Sequence, residues 1–101
     1  MKNDYKALML NPKDHVAVAL EPIPTGAVVK VVCQYFQKEI ELKGQIEFGH
    51  KFAVRPISIG EDILKYGEVI GSASTNIEAG DHVHTHNLEG KRGRGDRVGG
   101  K

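Results

Sequence analysis

Apolar positions along the chain fall into short, β-branched runs. His15-Val16-Ala17-Val18-Ala19-Leu20 and Ala27-Val28-Val29-Lys30-Val31-Val32-Cys33 predict two strands bounded by proline and glycine. Glu39-Ile40-Glu41-Leu42 alternates with period two, and Lys51-Phe52-Ala53-Val54-Arg55 does so more loosely. No stretch of helical length keeps a 3.6-residue stripe; the best helix candidate is a single turn around Gly60–Tyr66. A small repeat runs through this pattern, isoleucine, then glycine three residues on, then an apolar residue after three more. It occurs at Ile23-Gly26-Val29, Ile46-Gly49-Phe52, Ile57-Gly60-Ile63 and Ile77-Gly80-Val83. In each copy an aliphatic anchor enters the core, glycine makes a tight turn with positive φ, and a new strand leaves with its own anchor. The intervals between these glycines, 23, 11 and 20 residues, are too uneven for a solenoid. They predict a small all-β domain of short strands and sharp corners.

Size and composition narrow the class. A chain of 101 residues with 40% hydrophobic positions is globular and holds one domain. A lone cysteine, Cys33, excludes an internal disulfide framework and a cysteine-only metal cluster, and suits a reducing compartment. The longest apolar run, Val16–Leu20, is far too short to span a bilayer, and Met1-Lys2-Asn3-Asp4 does not open like a secretory signal. A soluble, cytoplasmic protein without a membrane partner is expected. The net charge of +1 conceals an asymmetry: Lys91, Arg92, Arg94, Arg97 and Lys101 face only Asp96, so residues 1–90 are mildly acidic. We therefore divide the chain into a β-domain over 1–90 and a basic, Gly-rich tail over 91–101. That tail is either a solvated end or an arm for an acidic surface or nucleic acid.

Three clusters could carry chemistry. The first is Asp81-His82-Val83-His84-Thr85-His86-Asn87. On a strand, His82, His84 and His86 would share one face at a spacing of roughly 7 Å. Imidazoles so placed can converge on a metal ion, offer an acid and a base, or merely line a polar face. The second is Gly49-His50-Lys51, a cationic pair after a turn that can reach a carboxylate or phosphate; the third is Lys65-Tyr66-Gly67, a cation beside a phenol. Other chemistries drop out. There is no Gly-x-Ser-x-Gly and no phosphate loop, and Cys33 lies in an apolar run that disfavours its thiolate. Scattered aromatics on an acidic body do not make a nucleic-acid surface.

The segments Gly49-His50-Lys51-x-Ala53, Ile57-x-x-Gly60, Lys65-Tyr66-Gly67-x-x-Ile70-Gly71, Ile77-x-x-Gly80 and Val83-His84-Thr85-His86-Asn87 resemble the N-terminal module of altronate and galactarate dehydratases. Asp14–Leu20 is similar to that module's opening strand, where the family more often has Asn at the position of His15. The resemblance covers residues 12–96 and implies a SAF-type β-clip, a compact, twisted β-structure with at most a short helical turn. It further implies dependence on iron(II) or another divalent metal and a reaction that removes water from a sugar acid to give a 2-keto-3-deoxy acid. Family members are one long chain or a small subunit beside a large one, and the ending Asn87–Asp96 is similar to that of a free small subunit; a piece of a longer enzyme is the other reading. The resemblance leads us to expect a large catalytic dehydratase subunit holding most of the metal shell and the base. This chain would close over the substrate, and its basic tail would dock on the partner. His84 and His86 are then expected to orient or protonate a sugar hydroxyl, or to complete the metal shell. His50, Lys51 and Lys65 are expected to pair with the carboxylate, with Tyr66, His82 and Asn87 also at the substrate. Two rival readings stay open: the small subunit of a sulfolactate sulfo-lyase, which expels sulfite, and a non-catalytic carbohydrate-binding SAF domain.

Overall fold

The computed structural model describes residues 5–90. The tail expected over 91–101 lies outside the described residues. Among the described residues nine strands follow one another: β1 (Ala7–Leu8), β2 (Val16–Ala19), β3 (Val28–Cys33), β4 (Phe36–Glu41), β5 (Lys51–Ala53), β6 (Asp62–Lys65), β7 (Glu68–Ala73), β8 (His82–Val83) and β9 (Leu88–Glu89). They build a four-stranded sheet in the order β1-β2-β5-β8, a β3-β4 hairpin and a three-stranded sheet in the order β6-β7-β9, with every pairing antiparallel. There is no helix among the described residues, so none is long and apolar enough to cross a membrane. The all-β class and the β-clip character expected from the sequence hold.

The fourfold repeat organises the fold. In every copy the residue after the glycine donates its N–H to the carbonyl three positions earlier: Ala27 to Pro24, His50 to Glu47, Glu61 to Ser58 and Asp81 to Glu78. The four glycines take φ between 84° and 95°, the type II turn geometry that side chains resist. The four isoleucines are buried and joined in pairs, Ile23 with Ile46 and Ile57 with Ile77, through reciprocal backbone hydrogen bonds. Each pair closes the base of a hairpin, β3-β4 in the first half and β6-β7 in the second. Chain separations that look irregular along the sequence are thus two copies of one clip.

The two halves have their own cores. One gathers Ile23, Val29, Val31, Ile40, Leu42, Ile46 and Phe52; the other gathers Val16, Ala53, Ile57, Ile63, Ala73, Ile77 and Val83. Strand β2 is buried along its whole length, with Ala17 and Ala19 in the first core and Val16 in the second. That explains why Val16–Ala19 reads as a continuous apolar run. Cys33 is free and buried, as its setting in the sequence indicates.

One local expectation needs correction. Gly60–Tyr66 is not a helical turn: Asp62–Lys65 is strand β6, paired with β7 from Asp62↔Ser72 to Lys65↔Glu68. The pairing buries Ile63 in the second core, and positive φ at Tyr66 and Gly67 (56° and 81°) forms the two-residue hairpin loop. A helix there would leave β7 without its partner.

Asp14 fixes that loop from 52 residues away. Its fully buried carboxylate accepts N–H groups from Tyr66 at 2.9 Å, Gly67 at 2.8 Å and Asn11 at 3.2 Å. Asp14→Ala leaves these donors without an acceptor, and a charge-assisted hydrogen bond is worth about 1.5–3 kcal/mol. We expect the variant to lose about 3 kcal/mol of unfolding free energy in urea titration. A loss below about 1 kcal/mol would show the clasp to be replaceable by water.

Candidate functional site

The five imidazole- and ammonium-bearing positions singled out in the first two clusters meet at one end of the β5-β8 pair. Register places Lys51 opposite Val83 and Phe52 opposite His82, so His50 and His84 extend the same ladder outward. The Glu47–His50 turn delivers His50, whose carbonyl accepts the Ala19 N–H at 2.9 Å. On the facing side the strand is shorter than expected. β8 ends at Val83, and residues 84–87 form a turn, so His82, His84 and His86 do not share a strand face.

Asn87 causes that turn. Its Oδ1 accepts the His84 N–H and its Nδ2 donates to the His82 carbonyl, both at 2.9 Å. The His84 carbonyl in turn accepts N–H groups from Asn87 and Leu88. Asn87 is 4% exposed. An asparagine expected to touch substrate is instead turned inward, where its amide holds the two imidazole-bearing residues in place.

The turn gathers the rings by stacking rather than by strand alternation. His50 Nδ1 lies 3.0 Å from His82 Nε2. The His50 ring stacks on those of His82 and His84 at centroid distances of 5.1 and 5.0 Å, and His82 stacks on His84 at 5.5 Å. His86 leans on His82 at 5.5 Å with its ring tilted by 35°. One ligand atom from each of His50, His82 and His84 lies within 4.8 Å of the other two. An all-nitrogen set of this kind fits a divalent ion of the iron-to-zinc series, the class expected from the resemblance.

The electrostatics are one-sided. Burial pushes the His82 imidazole below its ordinary range, and His50, His84, His86 and Lys51 push it the same way. Burial also lowers the Lys51 ammonium, with Lys65 adding to the effect. Lys65 in turn sits 5.0 Å over the ring of Tyr66 in a cation–π contact. Every neighbour that shifts His82 or Lys51 is itself a base. An ammonium half-withdrawn from water and facing the Lys65 ammonium is costly until an anion arrives. Two grooves, one along Thr25–Gly26 and Lys38–Lys43 and one beside Pro12, Tyr35 and Arg55, are not lined by these histidines.

Two polar residues that sequence reasoning did not place at the site matter to its support. Asp14 holds the Tyr66–Gly67 loop, and so the base of Lys65. His15 accepts the Leu64 N–H at Nδ1 (2.9 Å) and stands 3.3 Å from Glu61 Oε2 through Nε2. The N–H aimed at Nδ1 leaves the ring proton on Nε2, directed at Glu61. His15 therefore ties β2 to β6 and is the one histidine that stands apart from the cluster. Both contacts span more than forty residues, and the sequence around Asp14-His15 carries no local sign of them.

Residues 5–91 match the family described as the altronate/galactarate dehydratase SAF domain. Altronate dehydratase of Escherichia coli (strain K12) is 40% identical over 80 residues, 79% of this chain and 15% of that protein. The Bacillus subtilis (strain 168) altronate dehydratase is 36% identical over 82 residues, 81% of this chain and 16% of that protein. The (2R)-sulfolactate sulfo-lyase subunit alpha of Chromohalobacter salexigens is 35% identical over 77 residues, 74% of this chain and 82% of that subunit. The chain thus spans a small part of the dehydratases and most of the length of the sulfo-lyase subunit.

Proposed function

Because this chain belongs to the altronate/galactarate dehydratase SAF-domain family, we propose that it is the small component of a sugar-acid dehydratase, lending cationic groups to a reaction centre completed by a larger chain. The observation that carries this reading is the charge arrangement at the β5-β8 end. Lys51, Lys65 and the four clustered imidazoles form a basic strip in which the groups acting on Lys51 and His82 are all basic. A sugar acid supplies the missing anion. The open surface supports a partner that closes the site, and so do two apolar side chains beside it. Phe48, 67% exposed, and Leu20, 43% exposed, flank the bond between Gly49 N and Ala19 O that anchors the His50 turn.

In the proposed reaction a base on the larger chain removes the proton next to the carboxylate. Negative charge then grows on the carboxylate oxygens, where Lys51 and Lys65 stabilise it more strongly than in the ground state. His84 orients the hydroxyl on the adjacent carbon, and a proton passed to it from the exposed His86 lets water leave. The enol then tautomerises to the 2-keto-3-deoxy acid. A divalent ion, when bound, would supply Lewis acidity to the same oxygens. We place this chemistry in the cytoplasm.

A second reading has its own support, the 82% of the sulfo-lyase subunit that the chain covers. There the group that departs is sulfite and the carboxylate-binding part is unchanged. The deciding experiment is co-expression with a large dehydratase-type chain, then assay on altronate, galactarate and sulfolactate. We expect turnover of a sugar acid that needs both chains. Turnover by the large chain alone at the full rate would remove this chain from the reaction, and turnover of sulfolactate only would select the second reading. In the active pair, Lys51→Met is expected to lower kcat/KM for the acid by roughly 10–100-fold, with a fall in kcat as well as a rise in KM, the scale of one charge-assisted contact. An unchanged KM and kcat would take Lys51 out of the site.

A further inference from the structure

We propose that His50, His82 and His84 form a binding site for one divalent first-row transition ion, held by this chain without a partner. Two imidazole nitrogens bound to one zinc ion at about 2.0–2.1 Å and a tetrahedral angle are roughly 3.3 Å apart. His50 Nδ1 and His82 Nε2 are already 3.0 Å apart, and a nitrogen of His84 lies within 4.8 Å of both. The N–H···N bond aims the His50 and His82 nitrogens at each other, so an ion displaces the shared proton and these two rings turn with the exposed His84 ring toward one point, over a short distance.

The backbone under these three rings is fixed from three directions. The Gly49 turn and the Ala19 N–H hold His50, pairing with Phe52 holds His82, and the Asn87 amide holds the His84 N–H. Such outer support keeps ligating imidazoles aimed and the chelate pre-formed. The donor set selects the metal class. Three neutral nitrogens, with no carboxylate or thiol in the group, suit zinc, cobalt, nickel or iron(II) rather than calcium or magnesium. Three protein ligands on an open surface leave a coordination position for water or for an oxygen of a bound acid. The competing account is a stack of imidazoles joined by one N–H···N bond. It explains the His50–His82 pair but not why His84 completes a triangle around the same point.

Ion binding by the isolated chain does not depend on which reaction the assembled enzyme runs, so the two proposals fail separately. The test uses the 101-residue chain without a polyhistidine tag, titrated with Co²⁺ by visible absorption and with Zn²⁺ by calorimetry. We expect one ion per chain at low-micromolar affinity or tighter, together with a rise in melting temperature. His50→Ala and His84→Ala should each weaken binding by about 100-fold or more, and Asn87→Ala by about 10–100-fold through loss of positioning. His86→Ala should stay within about threefold of the parent. Circular dichroism on the same samples checks the fold; His84 is exposed and its ring supports no backbone contact, so that variant stays folded. No binding to the parent chain at millimolar Co²⁺, or equal affinity in the His50→Ala and His84→Ala proteins, overturns the proposal.

Discussion

Gly80→Ala is expected to cost about 2–6 kcal/mol of stability, while Gly60→Ala costs about 1–3 kcal/mol. The two glycines occupy the same place in the repeat and have similar φ, 95° and 87°. What separates them is the space a methyl group would enter. At Gly80 an added Cβ would stand 2.1 Å from the Glu41 carbonyl oxygen, a backbone atom that cannot step aside; at Gly60 nothing lies within 4 Å. Gly80 also donates to Ala53 and accepts from Lys43, so it joins the first half of the clip to the strand that carries the site. Left-handed backbone at a non-glycine residue costs about 1–3 kcal/mol. Forced overpacking adds about 1–3 kcal/mol or more. A domain of this length has about 5–15 kcal/mol to lose. Gly71→Ala isolates the second cause, since its Cβ would meet the Glu89 carbonyl oxygen at 2.2 Å without positive φ. Chemical denaturation should rank the three as Gly60, least harmful, then Gly71, then Gly80. Equal melting temperatures for the Gly60 and Gly80 variants would contradict the packing argument.

The same comparison shows what a sequence can and cannot disclose here. The four turns are legible because their physics is local. An isoleucine anchor, a glycine at the position that demands positive φ, and a following apolar residue all sit within seven positions. The collision at Gly80 is illegible, because Glu41 reaches it only after both halves of the clip have closed. The histidines divide along the same line. His82, His84 and His86 announce themselves by spacing, but His50 joins them only through the β5-β8 register, 32 residues away from His82. Asn87 was visible and its direction was not: an asparagine three residues after His84 can end a strand by capping its own turn as readily as it can reach a ligand. Asp14, which faces two N–H groups more than fifty positions away, has no signature at all beyond being an acid ahead of an apolar strand. The helical turn placed over Gly60–Tyr66 failed because Ile63 and Leu64 look alike in a turn or a strand, and only the pairing with β7 decides.

His84→Ala, in a pair reconstituted with the proposed large chain, is expected to lower kcat by about 100-fold or more with little change in KM, the usual scale for removing an acid–base or electrophilic group. The substitution is informative because the turn is held by backbone atoms of residue 84. Its N–H reaches Asn87 Oδ1 and its carbonyl takes the Asn87 and Leu88 N–H groups, so alanine keeps every one of those bonds. Asn87→Ala does the opposite: it keeps all the imidazoles and releases the turn that aims them. If aim is what matters, its kcat falls toward that of His84→Ala while its substrate affinity holds. His86→Ala separates the remaining role. Its ring lies outside the triangle of His50, His82 and His84 and leans only on His82, so it is free to exchange a proton with the departing hydroxyl. That variant should lose kcat with KM unchanged and regain part of the rate when free imidazole is added, whereas a group that merely packs would not be rescued. Turnover within twofold of the parent for both His84→Ala and His86→Ala would mean that the imidazoles stand beside the reaction rather than in it. Lys51 and Lys65 would then be left as this chain's contribution, through binding alone.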